Sequence, residues 1–70
     1  MGRKLERLMR RGAVYYLRVR VPDDLREFIG RTEIRRSLGT SDPAEARRLV
    51  RIESLKVDGE FAAARRALLG

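Results

Sequence analysis

The sequence has no cysteine and no histidine. Without thiols it can form neither a disulfide nor a thiolate metal site, and without imidazole it lacks the side chain most often used for proton transfer near neutral pH. No glycine-rich phosphate loop is present, and the carboxylates are scattered. Asp23, Asp24 and Asp42 read as helix-start residues rather than as an acid pair. A tyrosine nucleophile would have to be Tyr15 or Tyr16, and nothing near them in sequence is suited to activate one. The residues therefore predict no catalysis in this chain, no cofactor, no metal and no small-molecule ligand. Long hydrophobic runs are missing too. No stretch approaches the ~18 apolar residues of a membrane span, and no signal-peptide pattern opens the chain. A cytoplasmic protein with no membrane partner is the expectation.

What the chain has in quantity is positive charge. Its 70 residues carry 17 Lys/Arg against 10 Asp/Glu, a net charge of +7. The excess is uneven: residues 1–39 hold 11 basic and five acidic side chains, and residues 40–70 hold six and five. A basic half joined to a nearly neutral half predicts a surface for polyanions beside a separate scaffold. A general basic surface with no specific partner is the plainer alternative. The length predicts one small domain near the lower limit for independent folding, with stability of roughly 3–5 kcal/mol. Residues 1–6 read as a basic leader and 7–70 as a single domain, with 60–70 a possible helical extension toward a following domain.

Period-2 alternation marks the strongest strand, Val14 to Val21, in which five of eight residues are β-branched or aromatic. Leu8-Met9-Arg10 precedes it as a short strand, with Arg11-Gly12-Ala13 as the turn, and Pro22 ends it. Asp23 to Ile29 reads as a short helix closed by Gly30, with Leu25, Phe28 and Ile29 forming its apolar face. Glu33 to Leu38 is a third strand, followed by a turn at Gly39-Thr40-Ser41.

"DPAE" then sets Asp42 at an N-cap, Pro43 at the first helical position and Glu45 at the third, a capping-box arrangement. Ala46, Val50, Ser54, Val57, Phe61, Ala64 and Leu68 follow at steps of three and four, predicting one long amphipathic helix. Gly59 costs about 1 kcal/mol relative to Ala inside it, so a kink or end at Asp58-Gly59 is open. Leu49, Ile52 and Leu55 lie off the main stripe and either flank the core or meet a following domain. The fold class is α+β: a three-stranded antiparallel sheet packed on a long C-terminal helix, with a short helix between strands 2 and 3.

With Tyr15, Leu17, Val19 and Val21 facing the helix, alongside Ile34, Leu38, Leu49, Val50 and Val57, the even positions Tyr16, Arg18 and Arg20 face outward. Arg35 and Ser37 join them from the third strand, and Arg10 and Arg11 from the hairpin end. Arg36 is the misfit, sharing parity with Ile34 and Leu38; an edge position would let its stem cover the core. Arginines opposite one another on a sheet are destabilising, which folding alone does not explain. The major groove of double-stranded DNA admits a two-stranded ribbon, and arginine donates twice to guanine. Lys4, Arg7 and the rim arginines would contact phosphates. Each residue also has a plainer reading. Tyr16 is either a rim packing residue or a base contact; Arg18 and Arg20 are either a solvated face or groove readers. Thr40 and Ser41 are turn formers or phosphate donors. RNA is disfavoured, because Tyr16 is the only exposed aromatic foreseen for stacking.

Taken in order, "RRGAVYYLR", "VPDDLR", "IGRTEIRRSLGT" and "SDPAEARR" make residues 8–50 resemble the amino-terminal segment of phage and genomic-island integrases, the tyrosine recombinases. The resemblance implies an arm-type DNA-binding domain whose three-stranded sheet enters the major groove, ahead of core-binding and catalytic domains. It gives groove-facing roles to Tyr16, Arg18, Arg20 and Arg35 and places Arg10 and Arg11 near the backbone; Ser37 and Thr40 complete the candidate DNA-binding set. The family's catalytic residues belong to a later domain and have no counterparts here. A rival reading is a protein-interaction module whose long helix docks on another integrase domain or subunit.

Overall fold

The computed structural model describes residues 7–70. The basic leader, with Lys4, lies outside the described residues. Strand β1 is Leu8–Arg11 and strand β2 is Val14–Arg20. They pair antiparallel with Arg11 opposite Val14, so the turn is only Gly12-Ala13, one residue shorter than the sequence predicts. Gly12 has φ 63 while no non-glycine residue has positive φ, the pattern of a type II′ hairpin. Arg11 is thereby drawn into the ladder.

β2 stops at Arg20, yet Val21 is fully buried and its N–H still donates to the Thr32 carbonyl at 3.0 Å. After Pro22 comes a 3-10 turn, Asp23–Leu25, and then the single-turn helix α1, Arg26–Ile29, closed by Gly30 in the left-handed region. One continuous helix was expected here. Leu25 is fully buried and Ile29 packs against the core, but Phe28 is half exposed. The predicted three-residue apolar face is thus two residues wide, because so short a helix can press only one edge onto the core.

Strand β3, Glu33–Ser37, pairs antiparallel with β2, giving the order β1-β2-β3. Leu38 falls outside the strand but stays buried. Tyr15 spans the exit: its carbonyl accepts from Leu38 N–H and its N–H donates to the Thr40 carbonyl, both at 3.0 Å. Gly39, at φ 66, makes the intervening bend possible. Tyr15 itself is only partly buried, less enclosed than a core position.

Helix α2 is Pro43–Leu69, 27 residues without a break. At ~1.5 Å per residue it sets the long dimension of the molecule, 41 Å. Ala46, Val50, Ser54, Val57, Phe61 and Ala64 are buried along one stripe against Leu17, Val19, Val21, Leu25, Ile34 and Leu38. Leu68 continues the period but is half exposed, because it lies past the last buried position. Gly59 does not interrupt the helix. Val57 and Phe61 on either side are buried, and Glu60 is bonded to the sheet, so tertiary anchors outweigh the local cost. Beyond residue 60 the chain stays helical and remains packed on the core. Phe61 and Ala64 lie in the core, and Arg65 donates from Nε and Nη2 to the Asp24 carboxylate at 3.0 and 3.1 Å.

The cap forms with one change. Asp42 Oδ1 accepts from Ala44 N–H at 3.0 Å, while the Asp42 N–H donates to Thr40 Oγ1 at 3.1 Å instead of to Glu45. The Thr40 hydroxyl in turn lies 3.4 Å from Glu45 Oε1, a long contact that links the two halves of the box. No helix among the described residues is long and apolar enough to cross a membrane.

Candidate functional site

Because α2 covers one face of the sheet, the other is left to solvent. The register decides which side chains occupy it. Tyr16 pairs with Met9 on one side and Ser37 on the other, Arg18 with Arg35, Arg20 with Glu33, and Arg11 with Val14. The outer face therefore combines Arg11, Tyr16, Arg18, Arg20, Arg35 and Ser37 with Met9, Val14 and Glu33. Four arginines against one glutamate make it strongly basic.

Two arginines belong elsewhere. Arg10 is opposite Tyr15, so it shares the helix-side face, where its guanidinium lies 6.0 Å from the Tyr15 ring centroid and its Nε donates to the Gly12 carbonyl. The turn begins one residue later than the sequence suggests, so Arg11 joins the ladder on the outer face while Arg10, expected beside it, does not. Arg36 is opposite Leu17 and also points to the helix side. Its Nη2 donates to both Glu60 oxygens at 2.8 Å, and Glu53 lies 3.6 Å from its Nη1. The hydrogen bond that Arg36 donates to Glu60 is the largest influence raising the Arg36 pKa. The misfit of the sequence pattern is a clamp between the edge strand and α2.

Thr40 and Ser37 have local tasks. Thr40 serves the helix cap, and Ser37 Oγ accepts from Gly39 N–H at 3.2 Å, though its hydroxyl still borders the outer face. Arg7, foreseen at the rim, lies 3.2 Å from Asp58 on α2 and is mostly buried. It ties the start of β1 to the helix.

The residue that sequence reasoning missed is Glu33. Oε2 accepts from Arg18 Nε at 2.6 Å and Oε1 from Arg35 Nε at 2.9 Å. Those bonds, Arg18's first, lower its pKa below the ordinary glutamate value. The like-charge cost across Arg18 and Arg35 is thus met within the fold, and no external anion is needed to explain it. The usable signal was parity: Glu33 is odd-numbered on β3 like Arg35 and Ser37. Arg11 and Arg20, by contrast, make no ion pair or side-chain hydrogen bond with any described residue.

Beyond the end of β2 an open depression of about 710 Å³ lies among Arg7, Arg18, Arg20, Arg26 and Thr32. A shallower one of about 300 Å³ lies beside Tyr16, Arg11 and Arg35. Among the described residues no cluster of three or more carboxylates is arranged to hold a metal ion. The arrangement can donate many hydrogen bonds to an anionic or acceptor-rich surface.

Residues 7–66 match a sequence family described as a domain of unknown function, DUF6538. The chain belongs to that family. No curated protein and no solved structure matches it. In this DUF6538 domain the matched span runs from the start of β1 into the last turns of α2, so sheet, helix and outer face all fall within it.

Proposed function

We propose that the outer face of the sheet binds duplex DNA in the major groove, and that the chain is the non-catalytic DNA-binding segment of an integrase-type tyrosine recombinase. The observation that carries the reading is the unequal treatment of the two faces. One is covered by α2, while the other is open and carries Arg11, Arg18, Arg20 and Arg35 in register around Tyr16. A pair of strands fits the groove width, and arginine is the side chain best matched to the guanine edge. Arg20 and Arg26 line the depression beyond β2 and would meet phosphate oxygens in such a complex. The integrase assignment rests on the ordered motifs of residues 8–50.

The test compares Arg20→Ala, Arg35→Ala and Arg35→Lys with Arg51→Ala, which removes the same charge from the exposed helix surface. Binding is measured against a duplex enriched from a randomised library and its scrambled counterpart at two salt concentrations. Loss of a base-reading arginine is expected to cost about 1–3 kcal/mol on the specific duplex and to relax preference at one position. The lysine variant should keep much of the nonspecific binding but lose discrimination, because an ammonium lacks the planar fork. If Arg51→Ala weakens binding as much as the sheet variants do, total charge is the determinant and the groove-reading proposal is wrong.

A second reading has its own observation. Ile52 and Leu55 are exposed on α2, and a Cβ at Gly59 would meet nothing within 4 Å. That surface suits a helix of another integrase domain or subunit. Leu55→Glu should abolish such an association, measured by sedimentation-velocity ultracentrifugation of the integrase that contains the domain, and leave DNA binding by the sheet intact.

A further inference from the structure

The outer face carries one carboxylate, and it stands where two arginines meet. Arg18 and Arg35 are directly opposite one another on β2 and β3, and Glu33 accepts from both, at 2.6 and 2.9 Å. Each arginine is held through Nε. The Nη1 and Nη2 groups at the far edge of each guanidinium make no hydrogen bond with a described residue, and the side chains are 47% and 62% exposed. Glu33 is the more enclosed partner, at 25%.

We propose that Glu33 is a positioning residue that presents Arg18 and Arg35 together as a reader of two neighbouring guanines. This rests on the duplex-DNA reading above. The outer edge of a guanidinium offers two parallel N–H groups that match guanine O6 and N7. An arginine fixed at Nε before binding has less side-chain freedom to lose when it engages the base. Directly opposed residues hold their Cβ atoms ~5 Å apart, while successive bases on one strand are ~3.4 Å apart along the axis. Two heads spaced in this way address adjacent base pairs better than a single one. Glu33 itself does not read guanine, since a carboxylate has no donor for O6 and N7.

The carboxylate has a second effect. It repels phosphate oxygens, so docking in which Arg18 and Arg35 merely neutralise the backbone is disfavoured relative to docking on bases. Glu33 thereby raises discrimination while lowering nonspecific affinity.

Three variants separate geometry from charge. Glu33→Gln removes the charge and can accept from the arginines through only one oxygen. Glu33→Asp keeps the charge on a stem too short to span both arginines. Glu33→Ala removes both functions. The 70-residue protein is first selected against a randomised duplex library, and the enriched and scrambled duplexes are then titrated at two salt concentrations. Wild type is expected to enrich two guanines in adjacent base pairs. Glu33→Gln and Glu33→Ala should bind scrambled duplex more tightly, with a steeper salt slope, while the enriched-to-scrambled ratio falls about tenfold. Glu33→Asp should lose the ratio without the gain in nonspecific affinity. If Glu33→Gln tightens binding to both duplexes by the same factor, Glu33 is only a bulk charge and the proposal is overturned. It is overturned equally if the variants shift the melting temperature but not the ratio, or if the enriched duplexes lack paired guanines; the DNA reading would survive either result. Failure of the wild type to bind any duplex would remove both.

Discussion

Arg36 and Glu60 join the edge strand to the long helix: Nη2 of the arginine lies 2.8 Å from both carboxylate oxygens, across 24 positions of sequence. Glu53, two turns earlier on the same flank of α2, approaches the other terminal nitrogen at 3.6 Å. The arginine stem runs over the core before its head reaches the acids, which is how a charged side chain occupies an inward-facing position at a sheet edge. Both partners stay partly exposed, so the electrostatic gain is modest.

That geometry predicts a small coupling and a larger packing loss. In a double-mutant cycle, Arg36→Ala and Glu60→Ala should show a coupling of about 0.2–1 kcal/mol, typical of an exposed pair. Arg36→Ala alone should cost more than Glu60→Ala, because it also removes the stem from the core. Chemical denaturation of the four proteins measures both quantities. Equal costs for the two single variants would mean that the stem contributes nothing.

Much of this architecture was legible from residue patterns. Alternation fixes the inner row Leu17, Val19 and Val21, and the three-to-four spacing fixes the buried stripe of α2 from Ala46 to Ala64. What could not be read were effects that depend on register across strands. The parity of β2 locates Arg18 and Arg20, but which side Arg10 or Arg11 takes depends on the turn being two residues long. Arg36 looked out of place because its partners, Glu53 and Glu60, come from a helix whose angle over the sheet is not a sequence property. Glu33 was passed over although its parity with Arg35 and Ser37 puts it on the outer face, because a lone acid at a strand start does not reveal its partners. Its importance comes only from Arg18 being brought beside it.

The helix start gives a second prediction. Asp42 satisfies the Ala44 N–H, and Thr40 satisfies the Asp42 N–H. Asp42→Ala should destabilise the protein by about 1 kcal/mol, lowering the melting temperature by about 4–8 °C for a domain of this size. Thermal unfolding followed by circular dichroism measures it. An unchanged midpoint would show that α2 starts without this cap.

Acid should weaken the fold through Glu33 and Asp24. Hydrogen bonds from Arg18 and from Arg65, respectively, are the largest influences lowering their pKa values. A carboxylate whose pKa is lower folded than unfolded stabilises the protein at pH values above the unfolded value, roughly pH 4. That contribution is lost as the pH falls through the lower folded value. Denaturation midpoints should therefore stay level from pH 7 to about pH 5 with respect to these two groups and decline below. The decline should be shallower in Glu33→Gln and Asp24→Asn. If each variant keeps the wild-type acid slope, these ion pairs do not set it.

Ser54 and Gly59 give the last prediction, which runs toward greater stability. Ser54 is fully buried in the middle of the α2 stripe, and its Oγ has no hydrogen-bond partner. An unsatisfied buried hydroxyl costs about 1–3 kcal/mol, and serine is also a poorer helix former than alanine. Removing one oxygen leaves a void too small to offset these terms fully, so Ser54→Ala should stabilise by about 1 kcal/mol. Gly59 lies on the solvent side of the same helix, where an added Cβ meets no neighbour within 4 Å. Gly59→Ala should add about 1 kcal/mol, through backbone entropy alone. The two positions face opposite sides of α2 and share no contact, so their effects should add in the double variant. Denaturant midpoints at constant slope check this. A loss of stability in Ser54→Ala would mean that the hydroxyl is bonded in solution, and a loss in Gly59→Ala would mean that α2 bends there.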